Sequence, residues 1–385
     1  MKLTIKAQEI ALTFKELKER SGSHSPSVDV LLEQSNTKLT IDACFLSNPY
    51  ATQLFMDEFI DKYPTTKSLL HLIENYPPQN KDVAQKISKT IDIPQSNILV
   101  GNGAEEIIEW ILSQKVKSSI ALPIPTFSSY YEAVSDNVKV NFFQLEALED
   151  FALNLTKYSE FINETRSNSA IIINPNNPNG DYISQTEIFK FCQQNTHLDY
   201  IIIDDSFSHF AFENDELKLV SNSYLAIEFS NVVVIKSMSK DFGVAGIRAG
   251  YAVMPKTVVE DALNRGFLWN SNGFSSNFFN IWSDPEFQTK YEVVRKKYIV
   301  NTLHMANELS KIPQLKTLKS KSNFFLVRVA EDELGSFGFN LLAEYGIYIR
   351  NCNDKLGLDK GYYRIASRTF EENLIIVNSI KTLLC

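Results

Sequence analysis

Short apolar runs alternate with amphipathic stretches through most of the chain, and this alternation predicts a parallel β-sheet covered by helices. Seven apolar runs of strand length lie between residues 98 and 254, and most are followed by polar or glycine-rich residues. The predicted strands span residues 98–100, 119–122, 138–143, 170–173, 200–203, 232–235 and 249–254. Helical periodicity ahead of this region predicts helices at 5–20, 52–62 and 79–91.

The pattern changes after about residue 275, where a long charged helical stretch covers residues 284–311. Strands are predicted beyond it at 324–329, 347–350 and 362–366, and helices at 333–345 and 370–384. We therefore expect an α/β protein with three parts. Residues 1–50 form an arm that packs on the small domain, residues 51–275 form the large domain, and residues 276–385 form a small α+β domain. Within the arm, residues 44–50 read as an extended piece that ends in an Asn-Pro turn.

Composition narrows the possible partners and the cellular setting. The 385 residues include 38 basic and 46 acidic ones, for a net charge of −8, which argues against nucleic acid or an anionic membrane as the main partner. The four cysteines are scattered without a Cys-x-x-Cys pair, so neither a metal site nor a disulfide framework is expected. The N-terminus lacks the apolar core of a signal peptide, and no run of about 18 apolar residues occurs. The simplest setting is a reducing cytoplasm.

One lysine stands out by its neighbours. Lys240 follows an apolar strand and two small hydroxyl residues, Ser237 and Ser239, and precedes a glycine-rich turn that carries Arg248. A buried lysine with a lowered pKa can condense with a carbonyl group, and hydroxyls with a fixed cation suit a phosphate. Taken alone, the motif is better explained as a solvated lysine in a loop.

Further candidate positions follow other predicted strands, which is where ligands bind in open α/β sheets. A glycine turn that opens a helix offers N–H groups to a phosphate, and a carboxylate keeps a pyridine nitrogen protonated. An amide can donate to a ring oxygen, an aromatic face can stack on a planar ring, and a buried arginine can pair with a substrate anion. Alone, the aromatic residue is better explained by core packing, and the others are explained equally well by a ligand-free turn, by helix capping or, for the arginine, by a structural ion pair. The glycine turn is Gly103 with Ala104, the carboxylate is Asp204 and the amide is Asn177. The aromatic residue is Phe127 and the arginine is Arg364.

The order of these motifs resembles the fold-type-I pyridoxal phosphate enzymes of the class I/II aminotransferase family. The motifs are the glycine turn, Pro-Thr-Phe, Asn-Pro-Asn-Asn-Pro-x-Gly, a strand-end aspartate, Ser-x-Ser-Lys, and an arginine eight residues further on. The chain looks most like histidinol-phosphate aminotransferases and threonine-phosphate decarboxylases, over about residues 44–380. The resemblance implies an aspartate-aminotransferase-like fold, pyridoxal 5′-phosphate as cofactor, a small-molecule substrate, no metal, and a homodimer with shared active sites.

The resemblance also implies a role for each residue. Lys240 would form the Schiff base and move a proton at the substrate, and Asp204 would pair with the pyridine nitrogen. Other cofactor-binding positions are Gly103, Ala104, Glu105, Phe127, Asn177, Ser237, Ser239, Arg248 and, from the neighbouring subunit, Tyr76. Positions implied to bind substrate are Asn48, Asn323, Arg364 and Arg368.

The chain departs from the family pattern at three positions. Phe207 stands where many aminotransferases have a tyrosine that bonds to the ring oxygen, and phenylalanine there looks more like the threonine-phosphate decarboxylase branch. Glu105 would place a carboxylate near a phosphate unless it points away, and Asn179 replaces a usual threonine.

Three functions remain open from the sequence. We expect an aminotransferase acting on a small amino acid or amine, with or without a phosphate group. The alternative is a decarboxylase of a phosphorylated amino acid such as phosphoserine or phosphothreonine. A cofactor-binding regulatory module fused to a DNA-binding domain is disfavoured, because the chain is acidic and no winged-helix pattern precedes residue 44.

Overall fold

Two β-sheets organise the chain in this computed structural model, which describes residues 2–21, 26, 28–267, 270–330, 332 and 335–384. Strands and helices are numbered here in chain order. The strands are β1 (Ile41–Ala43), β2 (Ile98–Asn102), β3 (Ser119–Ile124), β4 (Lys139–Gln144), β5 (Ser169–Ile173), β6 (Tyr200–Asp204), β7 (Val232–Ser237), β8 (Ala249–Val253), β9 (Leu315–Thr317), β10 (Phe324–Val329), β11 (Ile347–Asn351) and β12 (Tyr362–Ala366).

Helices precede, cover and follow these strands. They are α1 (Ile5–Ser21), α2 (Val28–Gln34), α3 (Pro49–Lys62), α4 (Thr66–Glu74), α5 (Asn80–Ile91), α6 (Ala104–Gln114), α7 (Ser129–Glu132), α8 (Leu155–Thr165), α9 (Gln185–Gln194), α10 (Leu225–Glu228), α11 (Met238–Asp241), α12 (Lys256–Asn264), α13 (Gly273–Trp282), α14 (Pro285–Leu309), α15 (Ser336–Tyr345) and α16 (Phe370–Leu384).

The larger sheet has seven strands in the order β2-β8-β7-β6-β5-β3-β4. Strand β8 is antiparallel to both of its neighbours, and the other six strands run in one direction. Alternate residues of the central strands enter two separate hydrophobic clusters. Ile201 and Ile203 lie in one cluster and Ile202 in the other, so the sheet is buried on both faces. The predicted α/β class with a mostly parallel sheet covered by helices is confirmed.

The smaller sheet has five strands in the order β1-β11-β12-β10-β9. Strand β1 pairs in parallel with β11, so the N-terminal segment contributes an edge strand to a sheet built mainly from residues beyond 314. Helix α1 lies against α15, where the ring centroids of Phe14 and Phe339 are 5.5 Å apart. Within the described residues no helix is long and apolar enough to cross a membrane. The division at residues 50 and 275 stays a prediction.

Several local predictions differ from the structure. The Asn-Pro pair near residue 48 begins a helix instead of a turn, because the Asn48 side chain accepts the backbone N–H groups of Tyr50 and Ala51 at 3.1 and 3.3 Å. Helix α4 was not predicted, and it buries none of its residues in this chain. The three-residue strands β1 and β9 were also missed. Positions 333 and 334 of one predicted helix lie outside the described residues.

Candidate active site

The polar residues that follow the central strands meet at one edge of the large sheet. Strands β5, β6 and β7 are neighbours, with Ile173 beside Asp204 and Asp204 beside Ile235. At the same edge β2 ends beside the start of β8, where Asn102 pairs with Ala249. This shared edge brings together segments that are more than 100 residues apart in the sequence.

A cavity of about 300 Å³ lies between this edge and the small sheet. We call its large-sheet side the sheet wall and its other side the cation wall. The sheet wall consists of Ala104, Glu105, Ile108, Phe127, Ile173, Asn177, Asp204, Ser206, Phe207, Ser237, Ser239, Lys240 and Arg248. The cation wall consists of Cys44, Phe45, Leu46, Arg350, Lys355 and Arg364.

Lys240 reaches the cavity because β7 ends in a single helical turn, α11. The Ser237 side chain caps that turn by accepting the backbone N–H of Ser239 at 3.3 Å. Burial, together with the nearby cations Arg364 and Arg248, lowers the pKa of Lys240 to about 8. A lysine in this state has a substantial neutral fraction near pH 8 and can act as a nucleophile or as a proton carrier.

Asp204 ends β6 and is only 5% exposed. One carboxylate oxygen accepts the backbone N–H of Ser206 at 2.8 Å. Burial raises the pKa of Asp204, while its hydrogen bonds to Ser206 oppose the rise. Phe207, three residues after Asp204, packs edge-on against Phe324 with ring centroids 5.1 Å apart. As a phenylalanine it offers no hydroxyl to a ligand at this position.

The start of α6 forms a cradle that fits a phosphate. Gly103 precedes this helix with φ at +83°, and no side chain caps the exposed N–H groups. A Cβ on Gly103 would lie 2.6 Å from Nη2 of Arg248, so only glycine lets the guanidinium approach the helix start. The Glu106 carboxylate is turned aside, because it accepts the backbone N–H of Asn102 at 2.7 Å. Glu105 lines the cavity, and its charge opposes the lowering of the Lys240 pKa, so this carboxylate lies near the site. Backbone N–H groups, the helix dipole and a cation converge on this cradle, as an anion requires.

The three cationic side chains of the cation wall come from β11, β12 and the turn between them. Arg364 donates to Asn177 Oδ1 at 2.6 Å and to the Cys44 carbonyl at 2.9 Å. Its Nε is buried and has no hydrogen-bond partner among the described residues, which suits a ligand that brings an acceptor. Arg350 lies directly opposite Arg364 on the neighbouring strand. Like charges in that position repel each other, so an anion between them would stabilise the pair.

Arg350 has a carboxylate partner as well. It donates to both oxygens of Asp354, at 2.8 and 2.9 Å. The same carboxylate lies 2.7 Å from the Lys18 ammonium group on α1. The N-terminal helix is therefore linked to the cation wall through one shared aspartate.

A second buried layer supports the two central residues of the sheet wall. Lys236 donates to the Asp205 carbonyl at 2.9 Å and to the Asp241 carboxylate. Asp205 follows Asp204, and Asp241 follows Lys240, so this one ammonium group joins both loops. Burial raises the pKa of Asp241 to about 7, although Lys236 opposes the rise.

Five of the predicted site residues are not among the residues that line the cavity. One is Gly103, which directly precedes the lining residue Ala104, and the other four lie further away. Asn48 caps α3, and Asn323 donates its amide to the Leu46 carbonyl at 3.0 Å. Arg368 donates to the Ser47 carbonyl at 3.3 Å. Tyr76 is 87% exposed. Their assigned roles stay predictions, and Asn48, Asn323 and Arg368 support the segment that carries Cys44 to Leu46.

Sequence reasoning missed two basic residues of the cation wall. Arg350 interrupts an apolar strand just as Arg364 does, so the same signal of a charge within a strand could have identified it. Lys355 sits in a polar turn, and its sequence context carries no such signal. Its position in the cavity follows from the tertiary fold alone.

Comparison with known proteins identifies the family. The family model described as aminotransferase class I and II matches residues 60–380. The L-serine phosphate decarboxylase of Campylobacter jejuni is 41% identical over 382 residues, 99% of this chain and 98% of the relative. The L-serine phosphate decarboxylase of Sulfurospirillum multivorans is 38% identical over 373 residues, 96% of this chain and 95% of the relative. A solved decarboxylase structure from Sulfurospirillum multivorans superposes with a TM-score of 0.93 at 37% identity, covering 99% of this chain and 98% of that one.

The chain belongs to the class I and II aminotransferase family, and its cofactor is pyridoxal 5′-phosphate, as the motifs predicted. Histidinol-phosphate aminotransferases and a threonine-phosphate decarboxylase are also among the similar proteins, which confirms the narrower resemblance. The expected aminotransferase activity is wrong. The relatives that match nearly the whole chain at 38–41% identity are named decarboxylases.

Proposed function

We propose that this enzyme is a pyridoxal phosphate-dependent decarboxylase of a small phosphorylated amino acid, with O-phospho-L-serine as the first candidate. The observation that carries the proposal is the excess of positive charge in the cavity. Five basic residues and two acidic ones are among its described lining residues. The cofactor brings one phosphate, and phosphoserine adds a second phosphate and a carboxylate. Ligands of that charge would offset the repulsion between the cations.

The sheet wall would hold the cofactor. The cofactor phosphate fits the start of α6 together with side chains from the end of β7, from α11 and from the residue before β8. Asp204 would keep the ring nitrogen protonated. The Asn177 amide nitrogen would donate to the ring oxygen, because Arg364 already occupies the Asn177 carbonyl oxygen. Phe127 supplies an aromatic face for the ring. The phosphate-binding groups would be the Ala104 backbone N–H and the side chains of Ser237, Ser239 and Arg248.

Decarboxylation needs little more from the protein than orientation and one proton. When bound, pyridoxal phosphate supplies an electron sink for the pair left on the substrate α-carbon. The bond from that carbon to the carboxylate breaks, CO₂ leaves, and a proton must be added to the carbon. Lys240, which lines the cavity with a pKa of about 8, is the residue that we assign to deliver this proton. The product from phosphoserine would be O-phosphoethanolamine.

The test is a product assay on the purified holoenzyme. O-phospho-L-serine, O-phospho-L-threonine and L-serine are supplied separately, and CO₂, the amine product and any keto acid are quantified. We expect CO₂ and phosphoethanolamine in equal amounts from phosphoserine, and little turnover of L-serine. A keto acid that forms in step with loss of amino donor, without CO₂, would overturn the proposal.

We also propose that the enzyme works as a homodimer in which Tyr76 contributes to the partner's cavity. Helix α4, just before Tyr76, carries apolar side chains and buries none of its residues in the single chain. Leu70 is 42% exposed and Ile73 is 66% exposed. Light scattering would measure the mass in solution. Equal mixtures of Tyr76→Phe and Lys240→Ala chains would regain activity if each dimer combines residues from both subunits.

A further inference from the structure

Lys355 is a buried cation that the proposed reaction has not yet used. It lies in the turn between β11 and β12, where its backbone N–H donates to the Cys352 carbonyl at 2.9 Å and its carbonyl accepts the Leu358 N–H at 3.1 Å. The residue is 7% exposed, and its ammonium group lies 5.9 Å from the centre of the Phe127 ring. The backbone of the turn is thus held in place, and the side chain lines the cavity.

The charge of Lys355 is not balanced by the protein. Asp354 is the adjacent acid, but both of its oxygens bind Arg350, and Lys18 shares one of them. Lys355 itself forms no ion pair with any described residue. Burial, together with the nearby cations Arg350 and Arg364, lowers the pKa of Lys355 to about 8, and the opposing effect of Asp354 is smaller. A buried lysine beside other cations is costly unless a ligand supplies the negative charge.

The ligand group is an anion other than the cofactor phosphate. The cradle at the start of α6 already fits that phosphate, and it lies on the sheet wall with Arg248. Lys355 belongs to the opposite wall, together with Arg350 and Arg364. Arg364 is close enough to both sides to lower the pKa of Lys240 as well as that of Lys355. The second anion therefore binds on the substrate side of the cavity.

The chemistry of decarboxylation selects which substrate anion that is. The carboxylate loses its charge as CO₂ forms, so a strong ion pair with it would stabilise the starting state more than the transition state. The phosphate keeps its charge throughout the reaction, and binding energy spent on it is retained in the transition state. A compact ammonium group also suits a phosphate, which accepts hydrogen bonds from several directions.

We propose that Lys355 binds the phosphate of the substrate and selects phosphorylated over unphosphorylated amino acids. This inference rests on the proposed function for its substrate. It adds a residue from a turn in which the sequence carries no motif.

The test compares Lys355→Met, which keeps the length of the side chain and removes its charge, with Lys355→Arg, which keeps the charge. Binding of inorganic phosphate to each holoenzyme is measured by titration calorimetry, with the cofactor phosphate site already filled. We expect binding at least about tenfold weaker in Lys355→Met and within about threefold of wild type in Lys355→Arg. In turnover of phosphoserine, KM should rise by about the same factor while kcat changes little.

A matched control is Lys321→Met. Lys321 is a half-buried lysine that also lies beside an aromatic ring, with its ammonium group 3.8 Å from the centre of the Phe212 ring. It is not among the residues that line the cavity. Its phosphate affinity should equal that of wild type. Melting temperature and visible absorbance report folding and cofactor content, and Lys355→Met should melt no lower than wild type, because it removes an unbalanced buried charge.

Two results would overturn the inference. One is unchanged phosphate affinity in a folded Lys355→Met holoenzyme, and the other is a fall in kcat with KM unaltered. The binding measurement also separates this inference from the proposed function. If wild type decarboxylates no phosphorylated amino acid, the proposed function fails, but the affinity of the two variants for phosphate still decides the role of Lys355.

Discussion

The two walls of the cavity are built by different means. The sheet wall combines backbone N–H groups and hydroxyls with the carboxylates of Glu105 and Asp204 and the cations Lys240 and Arg248. A second buried layer around Lys236 joins its loops. The cation wall depends on charged side chains from the small sheet, and Arg364 reaches across to Oδ1 of Asn177 on the sheet wall. The first arrangement suits a cofactor that the whole family shares. The second faces the substrate in the proposed reaction, and there a decarboxylase can differ from an aminotransferase.

The largest expected effect comes from removing the central group of the sheet wall. Lys240→Ala should lower the rate of CO₂ release from phosphoserine by more than about 10⁴-fold, because in the proposed reaction this residue both holds the cofactor and moves the proton. The visible absorbance of bound cofactor should change in the same variant. Lys256→Ala, at a surface lysine, should leave both unchanged. Substantial turnover in Lys240→Ala would mean that the cation wall alone supports the chemistry.

The difference between the walls also explains what the sequence could reveal. Most polar residues of the sheet wall were predicted, since they lie in turns and helix starts next to apolar runs that are recognisable as strands. Ile108, Ile173 and Ser206 were not predicted. Lys240, Asp204 and Asn177 all reach the cavity in this way. Parallel strands end at one edge, so local patterns were enough to bring distant residues together.

The cation wall could be predicted only in part. Arg364 was recognised as a charge inside a strand, but Lys355 lies in a turn whose sequence is ordinary. The segment from Cys44 to Leu46 reaches the cavity only because β1 joins the small sheet, a three-residue strand too short to show a period. Aminotransferase chemistry was expected because the sheet wall is common to both reactions. Phe207 was the one sequence feature that favoured a decarboxylase.

The second prediction tests the cation wall. Arg364→Met should lower kcat/KM for phosphoserine by about 100-fold, because it removes a buried guanidinium and its hydrogen bonds to Asn177 Oδ1 and the Cys44 carbonyl. Arg328→Met, on the neighbouring strand β10 and exposed, is the matched control. An effect of the same size in both variants would show that the loss reflects the stability of the sheet and not the binding of substrate.

The third prediction measures how far the two walls are coupled. The pKa of Lys240 is lowered to about 8, and its neutral amine is the form that attacks pyridoxal phosphate. The rate at which the apoenzyme takes up pyridoxal phosphate should therefore rise about tenfold for each unit of increasing pH below pH 8, and should level off above pH 8. Arg364 contributes to the lowered pKa, so Arg364→Met should move this break to higher pH. The uptake rate is followed by visible absorbance across pH. A break at the same pH in both proteins would show that the charge of Arg364 does not affect the pKa of Lys240.

The smallest effect is expected where the cation wall meets the N-terminal helix. Lys18 and Arg350 share the Asp354 carboxylate, and the Lys18 and Asp354 side chains are 19% and 30% exposed. Lys18→Met should raise KM for phosphoserine by about threefold without changing kcat, since Asp354 would then lower the positive potential at Arg350 more strongly. The effect is small because partly exposed ion pairs contribute little. Lys15→Met, at an exposed lysine on the same helix, should change neither constant. Because salt screens exposed charges, the difference between Lys18→Met and wild type should shrink in about 1 M salt, and a difference that persists there would indicate that α1 positions Arg350 by packing.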